Sequence, residues 1–167
     1  MSDKSAKILH QYIKADRIKE IDVWVAKYPI NEKQSAVMSA LMIVQEEHGF
    51  LTQELMDAVA EYLDMPSIAV YEVATFYSMY EHKPVGRHQI NVCTNISCKL
   101  RNSSEVVRHL ESKLGIGLGE TTQDGRFTLK EVECLGACVN APMMQVDKEY
   151  HELLTPEKID AVLEQYK

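Results

Sequence analysis

Four cysteines carry the chemistry visible in this chain, and all lie in its second half: Cys93 and Cys98 in CTNISC, then Cys134 and Cys138 in CLGAC. The pattern is C-x4-C, thirty-five intervening residues, then C-x3-C, with no cysteine left over. Four thiolates, two per iron, are the ordinary ligand set of a [2Fe–2S] cluster, so the constellation points to electron transfer. Zinc also takes four thiolates, but its pairs usually come as C-x2-C knuckles, and neither pair has that spacing. Two disulfides would suit an exported chain, yet residues 1–12 contain no apolar stretch of a signal peptide. A thioredoxin-type redox pair needs C-x-x-C, which is absent. A Rieske centre replaces two cysteines by histidines. His10, His48, His82, His88, His109 and His151 all fall outside both motifs. Zinc and disulfides stand as the lesser readings.

Asn95 and Ser97 in the first motif, and Gly136 and Ala137 in the second, are small or turn-forming. Such loops let backbone N–H groups turn toward cluster sulfurs, one of the factors that set a reduction potential. Four thiolates leave the oxidised cluster with a net charge of about −2, which predicts a low potential of the ~−400 mV class. Lys99 and Arg101 beside Cys98 either moderate that charge or are plain surface cations.

The elements that must position these residues follow from periodicity. A helix over 16–27 is expected with Asp16 as cap, Ile18, Ile21, Val25 and Tyr28 on one stripe, and Pro29 as its stop. Asn31 is expected to cap a second helix carrying Val37, Leu41 and Val44 and ending at Gly49. A third spans 53–64 with Leu55, Val59, Tyr62 and Leu63, and a fourth after Met65-Pro66-Ser67 aligns Val70, Val73, Ala74 and Tyr77. Residues 1–15 read as a flexible N-terminus and 16–82 as a four-helix bundle. Pro84 and Gly86 in EHKPVGR then mark a boundary.

Residues 83–167 read as a small α/β domain, making the whole chain α+β. A strand over 88–92 runs into Cys93. Asn102 and Glu105 resemble a capping box before a helix with Val107, Leu110 and Leu114, closed by Gly115. A strand over 127–132, entered through the Asp124-Gly125 turn, leads to Cys134. A short strand over 143–146 and a helix opened by Thr155-Pro156-Glu157, with Ile159, Val162, Leu163 and Tyr166 inward, complete the domain. Each cysteine pair begins where a strand ends, and Cys98 falls in the loop after the first.

The remaining motifs read plainly. Gly115, Gly117 and Gly119 follow a helix, whereas a dinucleotide loop must follow a strand and open a helix, so they read as a helix stop and a flexible turn. ATFYSMY at 74–80 reads first as core packing and second as an exposed patch that docks a partner. The Ala141-Pro142 bond is expected to be trans. Glu131 and Glu133 alternate with Val132 as a solvated face, and no catalytic constellation is visible. At 167 residues, 46% hydrophobic and net charge −7, the chain suits a soluble globular protein of one or two domains and disfavours nucleic acid as partner. No apolar run approaches the ~20 residues of a membrane span. Cysteines kept as ligands, with neither signal peptide nor presequence in view, fit the cytoplasm.

These motifs, taken together, resemble the E subunit of bacterial NADH:quinone oxidoreductases, the small [2Fe–2S] protein of the peripheral arm of respiratory complex I. The resemblance covers the chain from about Asn31: VATFYSMY at 73–80, PVGRH at 84–88, the C-x4-C pair, LGIGLGETTQDGRFTL at 114–129, CLGAC at 134–138 and AP-x-M at 141–144. It implies a helical bundle followed by a thioredoxin-like [2Fe–2S] ferredoxin domain, with Cys93, Cys98, Cys134 and Cys138 as cluster ligands. It implies pairing with the subunit that binds NADH and FMN, a cluster close to that FMN but off the main electron path to quinone, and neighbours in the peripheral arm. The expected location is the cytoplasmic side of the inner membrane, reached through the complex without direct insertion. NAD-reducing hydrogenases and NAD-dependent formate dehydrogenases share the module, so their diaphorase subunit is the alternative.

Overall fold

Residues 8–166 are described by the structure, a computed structural model. The chain divides into two compact units between Pro84 and Val85. In the first, α1 (Ala15–Val25), a 3-10 turn (Lys33–Ala36), α2 (Val37–His48), α3 (Gln53–Leu63) and α4 (Ser67–Phe76) follow in order. Helix α2 packs against α1, α3 and α4, and α3 against α4. Residues at helical spacing supply the shared core: Ile18 and Ile21, Leu41 and Val44, Leu55, Val59 and Leu63, Val70 and Ala74. Thr52 Oγ1 accepts the Leu55 N–H at 3.3 Å and caps α3, and Gly49, at φ +84°, closes α2 in the left-handed conformation.

Several expectations need correction here. Lys14 precedes α1, and Asp16 sits inside its first turn, where a carboxylate favours the positive end of the helix dipole. Tyr28 lies beyond α1 and is exposed. A 3-10 turn, not Asn31, leads into α2. Residues 1–7 of the expected flexible N-terminus lie outside the described residues. Leu9 and Ile13 further along it are buried in the helical core, so this part is packed by its two apolar side chains.

The aromatic run splits. Tyr80 is buried and donates from Oη to Met38 O at 2.9 Å, and burial pushes its hydroxyl up to about 12. Phe76, Tyr77 and Met79 are 80%, 40% and 41% exposed, so the core role fails for them. Helix α4 ends at Phe76 and Tyr77 is already extended, which turns these side chains outward. Gln45 secures the backbone that follows: Nε2 donates to Met79 O at 2.9 Å, and Oε1 accepts the Glu81 N–H at 2.7 Å.

The second unit runs β1 (His88–Cys93), α5 (Ile96–Leu100), α6 (Ser103–Leu114), β2 (Phe127–Val132), a 3-10 turn (Cys138–Asn140), β3 (Met144–Val146), β4 (Glu149–His151) and α7 (Pro156–Gln165). The sheet order is β2-β1-β3-β4, with β1 and β2 parallel and the other pairs antiparallel. Parallel neighbours need a crossover, and α6 lies within it. Ile90 and Val92 alternate with polar neighbours on β1, and Ile90 pairs with Leu129 on one side and Val146 on the other. These residues, with Phe127 and Met144, meet Val106 and Leu110 of α6 and Ile159, Val162 and Leu163 of α7 in one core. Thr155 caps α7 as expected, accepting the Lys158 N–H at 3.3 Å.

Two details differ from expectation. Asn102 has a left-handed backbone (φ +65°) and makes no side-chain cap, while Glu105 pairs with Arg108, so no capping box forms. Strand β4 was not foreseen; it is three residues long and joins β3 through Asp147-Lys148, with Asp147 at φ +52°. The glycine-rich turn is pinned along the outer edge of β2: Gly119 N–H donates to Leu129 O at 2.7 Å, Leu129 N–H to Glu120 O at 3.0 Å, and Thr122 N–H to Phe127 O at 2.8 Å.

Gly86 is required by close approach. A Cβ there would lie 2.8 Å from the Phe127 carbonyl carbon and 3.0 Å from Arg126 O, both main-chain atoms. Its N–H donates to the buried Thr128 Oγ1 at 2.6 Å. Gly86→Ala is therefore expected to destabilise the second unit by about 1–3 kcal/mol, measured by urea unfolding; an unchanged midpoint would show that the entry to β1 yields easily. His151 on β4 has a buried Nε2 with no partner among the described residues. Burial holds its pKa below the ordinary 6.5, ahead of the opposing pull of Glu149. The unfolded chain thus binds this proton more readily, so the contribution is full above about pH 7 and lost as pH falls through the folded value. Unfolding midpoints of His151→Gln should depend less on pH between about 7 and 5 than those of the parent, and parallel profiles would remove His151 as the cause.

Candidate metal centre

Strand register brings the two cysteine motifs to one end of the sheet. Cys93 pairs with Val132, two residues before Cys134. Cys93 N–H donates to Met143 O at 3.2 Å, and Thr94 N–H continues the ladder to Val132 O at 3.1 Å. Asn95 then starts α5: its Oδ1 accepts the Ile96 N–H at 2.7 Å, and its Nδ2 donates to Glu133 Oε2 at 2.7 Å, tying one cysteine motif to the other. Cys98 therefore sits on a short helix and not in the expected loop. That turn of helix carries its side chain inward.

Cys93 and Cys98 are 2% and 1% exposed and share a small apolar cluster with Ala141 and Met143. Leu135 and Ala137, which lie between the second pair of cysteines, pack onto that cluster. Cys134 and Cys138 are exposed, with their sulfurs 3.2 Å apart. Gly136, at φ +90°, donates its N–H to Cys134 Sγ at 3.4 Å. All four cysteines are free. The Ala141-Pro142 bond is cis, against the expected trans; an X–Pro amide prefers trans by only ~0.5–1 kcal/mol, which packing around the buried Ala141 and Met143 can outweigh.

The thiols differ by environment. Burial, then the neighbouring Cys93, pushes Cys98 up to about 11. Cys134 is held below the ordinary thiol value by the hydrogen bond from Cys138 and then by the Gly136 N–H, while Cys138, which holds the shared proton, is raised. Lys99 and Arg101 are exposed.

Among the described residues, no three His, Cys, Asp or Glu side chains gather as a shell for a single ion. The sulfurs come as two pairs, one buried and one at the surface, which suits a centre with two metal positions each taking two thiolates. The donor set fits a [2Fe–2S] cluster. Sequence reasoning missed the strap formed by β4 and the residues after it: Tyr150 Oη donates to Leu135 O at 2.7 Å, Asn140 Nδ2 to Glu152 Oε2 at 2.6 Å, and Leu153 N–H to Asn140 O at 2.8 Å. The signal was present in Val146-Asp147-Lys148-Glu149, where Asp suits the left-handed position of a two-residue hairpin turn.

Comparison with known proteins bears on the family and the fold. The chain is 47% identical over 148 residues to the NADH-quinone oxidoreductase E subunit 2 of Rhizobium meliloti (strain 1021), covering 89% of this chain and 87% of that protein. It is 46% identical over 143 residues to the NADH-quinone oxidoreductase E subunit of Rickettsia felis (strain ATCC VR-1525 / URRWXCal2), covering 85% and 86%. Among solved structures, a chain of an NAD+-reducing [NiFe]-hydrogenase in the H2-reduced state matches with a TM-score of 0.64 at 20% identity. That match covers 76% of this chain but spans only 22% of the hydrogenase chain, and it bears on the fold alone. The model of one family matches residues 21–167, and the chain belongs to that family, the thioredoxin-like [2Fe-2S] ferredoxins.

Proposed function

We propose that this chain is the one-electron carrier subunit of an NADH:quinone oxidoreductase, with Cys93, Cys98, Cys134 and Cys138 holding one [2Fe–2S] cluster. The observation that carries the reading is the placing of four free thiols, as one buried and one exposed pair, where two parallel strands end. The NADH-quinone oxidoreductase relatives support the choice of complex. When bound, such a cluster supplies a position that accepts and releases one electron at a time.

The chain's own residues divide the remaining work. Cys93 and Cys98 grip from the buried side, where Ala141 and Met143 keep water away. Cys134 and Cys138 mark the surface edge of the site, the side open to a redox partner. Gly136 N–H withdraws negative charge from the Cys134 sulfur.

In this reading NADH and FMN are held by a partner subunit, close to the cysteine site, and other peripheral-arm subunits are neighbours. The first unit acts as a four-helix bundle over 16–82, followed by the cluster domain over 83–167. The protein resides on the cytoplasmic side of the inner membrane through the complex; among the described residues no helix is long and apolar enough to cross a membrane. The fold shared with the hydrogenase chain is compatible with a second reading, the equivalent diaphorase subunit of such an enzyme. Co-purifying quinone-module or hydrogenase subunits separate the two.

Purified without oxygen, the full chain is expected to contain iron and acid-labile sulfide in equal amounts and to give an EPR signal after dithionite. Cys134→Ser should disturb that signal while leaving the helical content by circular dichroism unchanged. A wild-type protein that stays colourless and EPR-silent after reconstitution sinks the reading, and an unaltered Cys134→Ser spectrum strikes Cys134 from the ligands. Cys98→Ser should cost several-fold more iron content than Cys134→Ser. Its buried position leaves no solvent to replace a lost ligand, so equal losses would contradict the division into buried and exposed pairs.

A further inference from the structure

We propose that Tyr150 is a positioning residue for the exposed cysteine pair, acting through the peptide plane between Leu135 and Gly136. Tyr150 Oη donates to Leu135 O at 2.7 Å. The opposite edge of the same peptide carries the Gly136 N–H, which donates to Cys134 Sγ at 3.4 Å. A trans peptide is planar, with C=O and N–H pointing in opposite directions, so a bond that fixes the carbonyl also fixes the direction of the N–H. The plane needs such a tether, because Gly136, at φ +90°, has the backbone freedom of glycine and the loop is exposed. The hydrogen bond to the carbonyl also polarises the amide and makes its N–H a stronger donor.

The tether is itself held. Tyr150 is paired with Gln145 across β3 and β4, so its position is set by strand register. The far end of the loop is fastened to the same strap through Asn140, by its side chain to Glu152 and by its carbonyl to Leu153 N–H. The N–H that meets the Cys134 sulfur is thus oriented by a residue sixteen positions from that cysteine in the sequence.

The consequence for electron transfer rests on the reading of Cys134 as a ligand. An N–H donated to a ligand sulfur stabilises the more negative, reduced state, so Tyr150 raises the reduction potential. The test is Tyr150→Phe in the full chain, which keeps the ring and removes the donor. In the cluster-free chain, the Gly136 amide proton followed by NMR should exchange with water several-fold faster than in the parent. In the reconstituted chain, redox titration followed by EPR should show a lower potential, by up to a tenfold change in electron affinity, or ~59 mV for one electron. The coupling to an exchangeable proton seen by electron–nuclear double resonance should weaken in parallel. An unchanged Gly136 exchange rate overturns the proposal whatever the potential does, and an unchanged potential with faster exchange overturns the tuning role. If the parent chain takes up no cluster, the ligand reading fails, and the Gly136 exchange rate alone decides whether Tyr150 orients the plane.

Discussion

The parallel register of β1 and β2 is the constraint on which the cysteine site depends. Cys93 stands beside Val132, so one strand delivers its first cysteine at the level where the other is about to deliver Cys134. A slip of one residue would turn every side chain of a strand to the opposite face, exposing Ile90 and Val92 and sending Cys93 away from Met143. The hydrophobic core shared with α6 and α7 resists that slip. Packing of ordinary aliphatic residues thereby sets the position of sulfurs that contribute little to the core themselves.

Around this register the site is asymmetric. One pair is enclosed by Ala141, Met143, Leu135 and Ala137; the other lies at the surface on a loop with a glycine in a left-handed conformation. The loop owes its form to hydrogen bonds from outside it, through Asn95 and Glu133 on one side and Tyr150, Glu152 and Leu153 on the other. Burial provides grip, and the polar strap provides orientation.

Much of this was legible in the residues. The spacing of the four cysteines singled them out, and the structure sets them as one buried and one exposed pair at the end of β1 and just beyond β2. The strands at Ile90 and Val92 and at Phe127 and Leu129 follow from alternation, and the amphipathic helices from their 3.6-residue period. What escaped is what depends on few residues or on tertiary context. Strand β4 has three residues, too few for a pattern, and α5 has five. Asn102 and Glu105 have the types of a capping box, but the tight turn after α5 puts Asn102 in a left-handed conformation that the box does not allow. Apolar Phe76, Tyr77 and Met79 look like core because hydrophobicity alone carries no direction; the end of α4 decides where they point.

The sheet has a further property in the treatment of its borders. Along β2, the stretch from Gly119 to Thr122 occupies main-chain groups that a foreign strand would otherwise bind. The opposite border, β4, is only three residues long. An open strand invites another polypeptide to extend the sheet, and short or covered strands discourage it. A protein built this way is protected against sheet-to-sheet polymerisation while newly made copies await their place in a larger assembly.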